Sequence, residues 1–210
     1  MPLLMWLHGL GDTGAGWESL RYELADVKDC QFQFPTAPVA AVTCNGGAKM
    51  TSWFDLRDIP VTPNVPDFED DYWATVGMVH AMIDEAVAQG TPPEKIVVGG
   101  FSQGGAVSLG SVLSYPKRLG GAVCFSGWLV GALNGNFERK VHDANKATPI
   151  FWGHGEADNV VTPECQTVGV PLLKQLGNNV TVGTYPGMAH SACGDEVETL
   201  VSFLRAAFSQ

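Results

Sequence analysis

Short apolar runs alternate along the chain with segments whose apolar residues recur at helical spacing. The apolar runs predict strands over 3–7, 31–34, 96–100, 121–125, 149–152 and 180–185. The helical spacing predicts helices over 17–27, 68–89 and 106–113, a fourth that begins near 163, and a closing helix that reaches 208. This alternation predicts an α/β fold with a mostly parallel central sheet and helices on both faces. Ligands of such sheets lie beyond the carboxyl ends of the strands.

Two long stretches interrupt the alternation. Residues 37–66 are rich in proline and glycine, and residues 126–148 also lack a periodic pattern. Irregular segments of this length in a compact domain are usually functional. No repeat or low-complexity linker divides the chain, and 210 residues are enough for one core. We therefore expect a single domain over residues 1–210.

Composition and charge exclude several classes of protein. Hydrophobic residues make up 45% of the chain and charged residues 16%, which argues against disorder. The formal net charge of −10 makes nucleic acid an improbable partner, because phosphate binding needs clustered Lys and Arg. No segment approaches the roughly 20 apolar residues of a membrane span, so we expect no stable membrane insertion. The apolar start, 1–8, lacks a basic flank and predicts a core strand rather than a signal peptide.

The cysteines indicate a reducing environment. Five are present, widely spaced, at positions 30, 44, 124, 165 and 193, and none forms a C-x-x-C pair. This spacing argues against a metal site or a disulfide framework. We expect reduced thiols in a cytoplasmic protein, each with a role in the core.

The most informative motif is Gly100-Phe101-Ser102-Gln103-Gly104, which follows a β-branched strand and precedes a predicted helix. A serine in G-x-S-x-G at such a strand–helix turn projects its hydroxyl above the sheet, as a nucleophile must. The small residues on either side let the backbone pack closely. The alternative is a glycine-rich turn with an incidental serine.

A serine nucleophile needs a base and a carboxylate that orients the base. Asp158 and His190 both lie in loops that follow predicted strands, and the order serine, aspartate, histidine is that of α/β-hydrolases. Glu156 is an alternative acid, and His154 is an alternative base that is otherwise a structural histidine. His80 and His142 lack this context, and we expect them at the surface or hydrogen-bonded in the core.

Two backbone N–H groups are candidates for an oxyanion hole. Gln103 follows the nucleophile, which is the usual place for one donor. The glycine-rich turn 8–12 after the first strand can aim the N–H of Leu10 at the same point. Such a donor contributes about 3 kcal/mol to transition-state stabilisation. The alternative is a plain strand–helix turn with His8 packed beneath it.

Five segments together resemble the acyl-protein thioesterase and small carboxylesterase/lysophospholipase family of α/β-hydrolases. They are LHGLGDTG at 7–14, FPTAP at 34–38, MTSWFD at 50–55, GGFSQGGA at 99–106 and YPGMAHS at 185–191. The resemblance implies an α/β-hydrolase fold with Ser102, Asp158 and His190 as the triad and Leu10 and Gln103 as oxyanion donors. It implies hydrolysis of acyl thioesters on protein cysteines, or of carboxylic and lysophospholipid esters, through an acyl-enzyme and without a metal or other cofactor.

Two other functions are open: a general carboxylesterase or lysophospholipase for small or lipid esters, and a catalytically silent binding protein with the same fold. We expect acylated proteins or peptides and small acyl esters as partners, and a monomer or weak homodimer. For an apolar acyl pocket the candidates are Leu10, Trp53, Phe54, Leu56, Trp128 and Leu129. Trp53 and Phe54 could equally be core, whereas the resemblance favours the pocket for Trp128. The acidic residues Asp58, Asp67, Glu69, Asp70 and Asp71 could attract basic acyl-peptides or form an ordinary solvated face.

Overall fold

Six parallel strands form the central sheet of the computed structural model, which describes residues 1–66 and 68–209. The strands along the chain are β1 (Leu3–Leu7), β2 (Gln31–Gln33), β3 (Val39–Val42), β4 (Ala48–Thr51), β5 (Ile96–Phe101), β6 (Gly121–Phe125), β7 (Ile150–Gly155) and β8 (Val180–Tyr185). The helices are α1 (Leu20–Glu23), α2 (Glu69–Ala88), α3 (Gln103–Ser114), α4 (Glu164–Gln175) and α5 (Gly194–Phe208). The sheet order is β2-β1-β5-β6-β7-β8, and β3 pairs with β4 as a separate antiparallel hairpin.

Both faces of the sheet are buried, as the continuous apolar strands require. In β1, the side chains of Leu3, Met5 and Leu7 enter one core, which also holds apolar residues of α2, α3 and α4. The alternate side chains, Leu4 and Trp6, enter a second core with apolar residues of α1 and α5. A parallel sheet between two helical layers confirms the expected α/β fold.

The structure differs from the sequence prediction mainly where little apolar surface is buried. The helix expected over 17–27 is reduced to α1, with a 3-10 turn over Gly14–Trp17 before it. Leu20, Leu24 and Val27 are the residues of this region that enter the core, so a short helix and turns bury them. The β3–β4 hairpin lies inside the stretch expected to be irregular. The β3 sequence, VAAV, is apolar, but most residues of the hairpin are exposed or half-buried, so these strands do not form part of the core.

Within residues 1–66 and 68–209, no helix is both long enough and apolar enough to cross a membrane.

Candidate active site

Ser102 lies on a sharp turn between β5 and α3. Its backbone has φ 54° and ψ −119°, a conformation that non-glycine residues rarely adopt. The Ser102 N–H donates to the carbonyl of Phe125 at 2.7 Å, which holds the turn against β6. A β-carbon on Gly104 would lie 2.1 Å from the carbonyl oxygen of Leu7. One on Gly100 would lie 2.4 Å from the carbonyl carbon of Gly104, so both glycines are needed for this close packing.

Three loops bring a hydroxyl, an imidazole and a carboxylate together at the carboxyl edge of the sheet. The Nε2 atom of His190, in the loop after β8, is 2.9 Å from the hydroxyl oxygen of Ser102. The Nδ1 atom of the same ring is 2.7 Å from Oδ2 of Asp158, in the loop after β7. The three residues therefore form one continuous hydrogen-bonded series.

The carboxyl group of Asp158 is buried and ionised. Burial alone would raise its pKa, but hydrogen bonds from His154, His190 and the backbone N–H of Val160 outweigh burial and hold the pKa well below its usual range. Oδ1 accepts the N–H groups of Val160 and Val161 at 2.9 and 3.0 Å. Oδ2 faces His190 at 2.7 Å and His154 at 3.4 Å. An ionised carboxylate at Nδ1 fixes the proton there and leaves Nε2 free to accept the serine proton.

The alternative acid and base lie in other environments. Glu156 is exposed, whereas Asp158 is 4% exposed. His154 is fully buried within β7, and its Nε2 lies 2.9 Å from the carbonyl oxygen of Val161. That ring nitrogen must donate to a carbonyl, so it carries the proton. The same Nε2 is 3.4 Å from Oδ2 of Asp158, which makes His154 a second support for the carboxylate.

His80 and His142 lie outside the site. His80 on α2 bonds the carbonyl of Ser111 at 2.8 Å and packs against Tyr115. Burial lowers the pKa of His80. His142 accepts the N–H of Ala144 at 3.2 Å and caps a 3-10 turn. Both are structural residues in positions consistent with the sequence expectation.

The turn after β1 is fixed by a neutral histidine. The N–H of Ala37 donates to Nε2 of His8 at 3.0 Å, so Nδ1 carries the proton and donates to the carbonyl of Gly9 at 2.6 Å. Burial lowers the pKa of His8, which favours this neutral form. Gly11, at φ 78°, completes the turn around Leu10. Gln103 is the first residue of α3, so its N–H has no acceptor within the helix.

A mostly apolar cleft of about 320 Å³ opens above the serine. Its lining residues are Gly9, Leu10, Asp12, Asn45, Met50, Leu56, Ile59, Val61, Phe101, Ser102, Trp128, Val160, Val161 and His190. Three of the expected pocket residues, Leu10, Leu56 and Trp128, belong to this lining. Leu129 lines an adjoining cavity of about 270 Å³, which shares Trp128 with the cleft.

The structure places Trp53 and Phe54 in the core rather than in the lining of the cleft. They are 3% and 4% exposed. The indole N–H of Trp53 donates to the carbonyl of His8 at 2.8 Å, and Phe54 packs edge-on against Tyr72. A buried indole N–H usually has such an acceptor, and the one for Trp53 lies inside the protein. Sequence reasoning missed several cleft walls. Asn45, Ile59, Val61, Val160 and Val161 lie outside the motifs, whereas Asp12, Met50 and Phe101 lie within them.

Of the acidic residues in the sequence hypothesis, Glu69, Asp70 and Asp71 form the first turn of α2, and Asp58 lies in the 37–66 stretch. Asp58, Asp70 and Asp71 are exposed. Glu69 is half-buried and accepts hydrogen bonds from Asn134 and Asn136. Asp67 lies outside the described residues. Within the described ranges, no three His, Cys, Asp or Glu side chains come close enough to form a metal-binding group.

Comparison with known proteins identifies the family. The Phospholipase/Carboxylesterase family profile matches residues 1–208. The chain belongs to this family. Its sequence is 43% identical over 204 residues to a probable carboxylesterase of Oryza sativa subsp. japonica, covering 96% of this chain and 76% of the relative. It is 35% identical to acyl-protein thioesterase 1 of Saccharomyces cerevisiae, covering 98% of this chain and 92% of the relative.

Solved structures of this Phospholipase/Carboxylesterase family agree with the fold. The crystal structure of the SOBER1 protein of Arabidopsis thaliana matches with a TM-score of 0.93 and 38% identity, covering 98% of each chain. These matches confirm the expected family and the α/β-hydrolase fold, and they make the chain a hydrolase by family. One rice relative, 42% identical over 191 residues, is described as a probable inactive carboxylesterase. The geometry of the site is therefore the relevant evidence for catalysis.

Proposed function

We propose that this chain is a serine hydrolase that cleaves acyl thioesters and carboxylic esters through an acyl-enzyme on Ser102. One observation carries the proposal: the series from the Ser102 hydroxyl through His190 to Asp158, with spacings of 2.9 and 2.7 Å, opens into an apolar cleft. That is the arrangement in which a serine hydroxyl becomes a nucleophile towards an acyl carbonyl.

Each group has one task in the proposed reaction. The Ser102 oxygen attacks the acyl carbonyl while Nε2 of His190 takes the hydroxyl proton. Asp158 stabilises the imidazolium, and the N–H groups of Leu10 and Gln103 stabilise the oxyanion. His190 then gives the proton to the departing alcohol or thiol. Water, deprotonated by the same imidazole, attacks the acyl-enzyme, and the acid leaves with Ser102 restored.

The apolar cleft and the names of the relatives support acyl thioesters of protein cysteines and carboxylic esters as substrates. A general carboxylesterase or lysophospholipase is the alternative. The cleft of about 320 Å³ and the adjoining cavity of about 270 Å³ are the size of small-molecule pockets, which span roughly 300–1,000 Å³. Acylated peptides, a lysophospholipid and small acyl esters are therefore the first substrates to compare.

The proposal extends to the organisation of the protein. We propose a single domain over residues 1–210 that acts as a monomer or weak homodimer. The five cysteines are free thiols, which supports a reducing compartment such as the cytoplasm.

Labelling with a fluorophosphonate probe tests whether Ser102 is the nucleophile. The wild-type protein should be labelled, and Ser102→Ala should not. Ser111→Ala is a matched control, because Ser111 is a buried serine on α3 whose hydroxyl has no hydrogen-bond partner among the described residues. Its labelling should equal that of the wild type. An unlabelled wild-type protein would instead support a silent binding protein.

A substrate panel then separates the two enzyme activities. Hydrolysis of S-acyl-cysteine peptides, a lysophospholipid and short nitrophenyl esters is compared by kcat/KM. A preference for the thioester peptide supports an acyl-protein thioesterase. A preference for either ester supports the carboxylesterase or lysophospholipase alternative.

A further inference from the structure

Building on the proposed function, we propose that Trp53 and the side-chain amide of Gln103 are positioning residues that keep the two oxyanion donors aimed at the same point. The two donors are the N–H groups of Leu10 and Gln103, which lie on different loops. Residues 51–54, which we call the brace, lie between these loops and bond to both. The brace includes Thr51, the last residue of β4, and two of the pocket candidates of the sequence analysis, Trp53 and Phe54.

The first contact joins the brace to α3 through the buried side chain of Gln103. Its Oε1 atom accepts the backbone N–H of Trp53 at 2.9 Å. Its Nε2 atom donates to the carbonyl of Phe54 at 2.5 Å and to the hydroxyl of Ser52 at 3.1 Å. Gln103 is 0% exposed, so these bonds form away from competing water. The residue that carries one proposed donor is thus fixed to the brace at three points.

The second contact joins the brace to the turn after β1. The indole N–H of Trp53 donates to the carbonyl of His8 at 2.8 Å, and the two rings pack with centroids 5.3 Å apart. His8 in turn holds the carbonyl of Gly9 through Nδ1. The peptide that precedes the other proposed donor, Leu10, is therefore held by the same tryptophan.

The brace is itself anchored at both ends. The carbonyl of Thr51 accepts the N–H of Gly11 at 2.8 Å, and its hydroxyl donates to the carbonyl of Asp12 at 2.5 Å. On the other side, the hydroxyl of Thr75 on α2 donates to the carbonyl of Trp53. With both ends fixed, a movement of either loop relative to the brace breaks at least one buried hydrogen bond.

Such anchoring matters because an oxyanion hole works through preorganised donors. The donors stabilise the transition state only when they already point to where the negative charge develops. A displacement of about 1 Å is enough to lower the rate roughly a hundredfold. The strands before the two loops, β1 and β5, pair side by side, and beyond the strand ends the brace adds side-chain hydrogen bonds to both loops.

The test is Trp53→Phe, which keeps an aromatic ring against His8 and removes the N–H that holds its carbonyl. We expect kcat for a nitrophenyl ester to fall by roughly ten- to a hundredfold, since a donor is displaced rather than deleted, with KM within about twofold. Affinity for a trifluoromethyl ketone should fall by the same factor as kcat. The reason is that addition of the Ser102 oxygen to that ketone places an oxyanion in the hole. Affinity for the product acid should stay within about twofold of the wild type.

The matched control is Trp6→Phe. Trp6 is also fully buried, but its indole N–H has no hydrogen-bond partner among the described residues, and it enters the core on the opposite face of the sheet. This variant makes the same chemical change without releasing a donor loop. Its kcat and ketone affinity should stay within about twofold of the wild type, whatever happens to its Tm.

Ser52→Ala provides a milder second variant in case Trp53→Phe does not fold. It removes one of the three contacts to the Gln103 side chain, and kcat and ketone affinity should fall together by a smaller factor. The proposal is overturned if the folded variants keep wild-type kcat, if KM alone changes, or if Trp6→Phe loses as much kcat as Trp53→Phe. A wild-type protein without esterase activity or fluorophosphonate labelling would instead overturn the proposed function, so the two failures are distinguishable.

Discussion

The imidazole of His190 and the carboxylate of Asp158 lie 2.7 Å apart, Nδ1 to Oδ2, although 32 residues separate them in the chain. The strands β7 and β8 are parallel neighbours, so the loops that follow them begin at the same edge of the sheet. Topology alone therefore brings the two residues to one edge. The hydrogen bonds from Val160 and Val161 then orient the carboxylate towards the imidazole.

We predict that Asp158→Asn lowers kcat by on the order of 10³- to 10⁴-fold, because an amide neither stabilises the imidazolium nor fixes the productive tautomer of His190. Steady-state kinetics on a short nitrophenyl ester measure this effect. Glu156→Gln is the control, since that carboxylate is exposed and two residues away. Loss of activity in Glu156→Gln, with Asp158→Asn close to wild type, would show that Glu156 and not Asp158 is the acid.

The sequence predicted the parallel sheet and the three residues of the series because both depend on strong local patterns. The strand before Ser102, predicted over 96–100, spans Ile96–Phe101, and the strand before Asp158, predicted over 149–152, extends further, over Ile150–Gly155. The order of nucleophile, acid and base is that of α/β-hydrolases. The observed strand over Val180–Tyr185 begins and ends where predicted.

The walls of the cleft and the β3–β4 hairpin could not be predicted in the same way. The hairpin strands lie largely outside the core, so their burial leaves no periodic signal. Trp53 looked equally like pocket and core, because the sequence does not show that the carbonyl of His8 is available to its indole. Such a contact joins residues 45 positions apart and depends on how two loops meet.

A second prediction concerns the glycine behind the nucleophile. Gly104→Ala would place a β-carbon 2.1 Å from the carbonyl oxygen of Leu7, so backbone must move. We expect a loss of stability of about 1–3 kcal/mol and a large fall in fluorophosphonate labelling. Gly77→Ala on α2 is the matched control, because a β-carbon there meets no atom within 4 Å. That substitution should raise stability by about 0.5–1 kcal/mol. A Gly104→Ala protein with wild-type Tm and labelling would contradict the packing described here.

A third prediction follows from the buried Glu196 on α5. Burial raises its pKa to about 8, and the nearby backbone N–H of Cys193 offsets this only in part. The folded protein therefore holds the proton more tightly than the unfolded chain does. The contribution of Glu196 to stability is fully present below about pH 4.5 and is lost as the pH rises towards about 8. The loss reaches roughly 5 kcal/mol as an upper bound.

Glu196→Gln should remove this pH dependence. The difference in the free energy of unfolding between the variant and the wild type should grow in favour of the variant from pH 5 to pH 8, as measured by urea unfolding. Glu198→Gln, on the exposed side of the same helix, makes the same atomic change and should follow the wild-type profile. Parallel profiles for the wild type and Glu196→Gln would show that the carboxyl group is not buried in solution.

A fourth prediction tests the acidic residues at the start of α2. If the exposed Asp70 and Asp71 attract basic acyl-peptides, kcat/KM for such peptides should fall steeply as salt is added, because screening shortens the range of attraction to about 10 Å at 0.1 M. Asp70→Asn combined with Asp71→Asn should flatten this dependence. Glu198→Gln, on the helix layer of the opposite sheet face, should not. Equal salt responses for basic peptides and neutral esters would identify these carboxylates as an ordinary solvated face.

The most direct test of the proposed chemistry is to trap the acyl-enzyme. A short nitrophenyl ester is mixed with the protein, the reaction is quenched with acid, and the adduct is located by peptide mass spectrometry. We expect a burst of nitrophenolate and the mass of one acyl group on the peptide that carries Ser102. Steady ester hydrolysis with no acyl group on that peptide, undiminished in Ser102→Ala, would contradict the account.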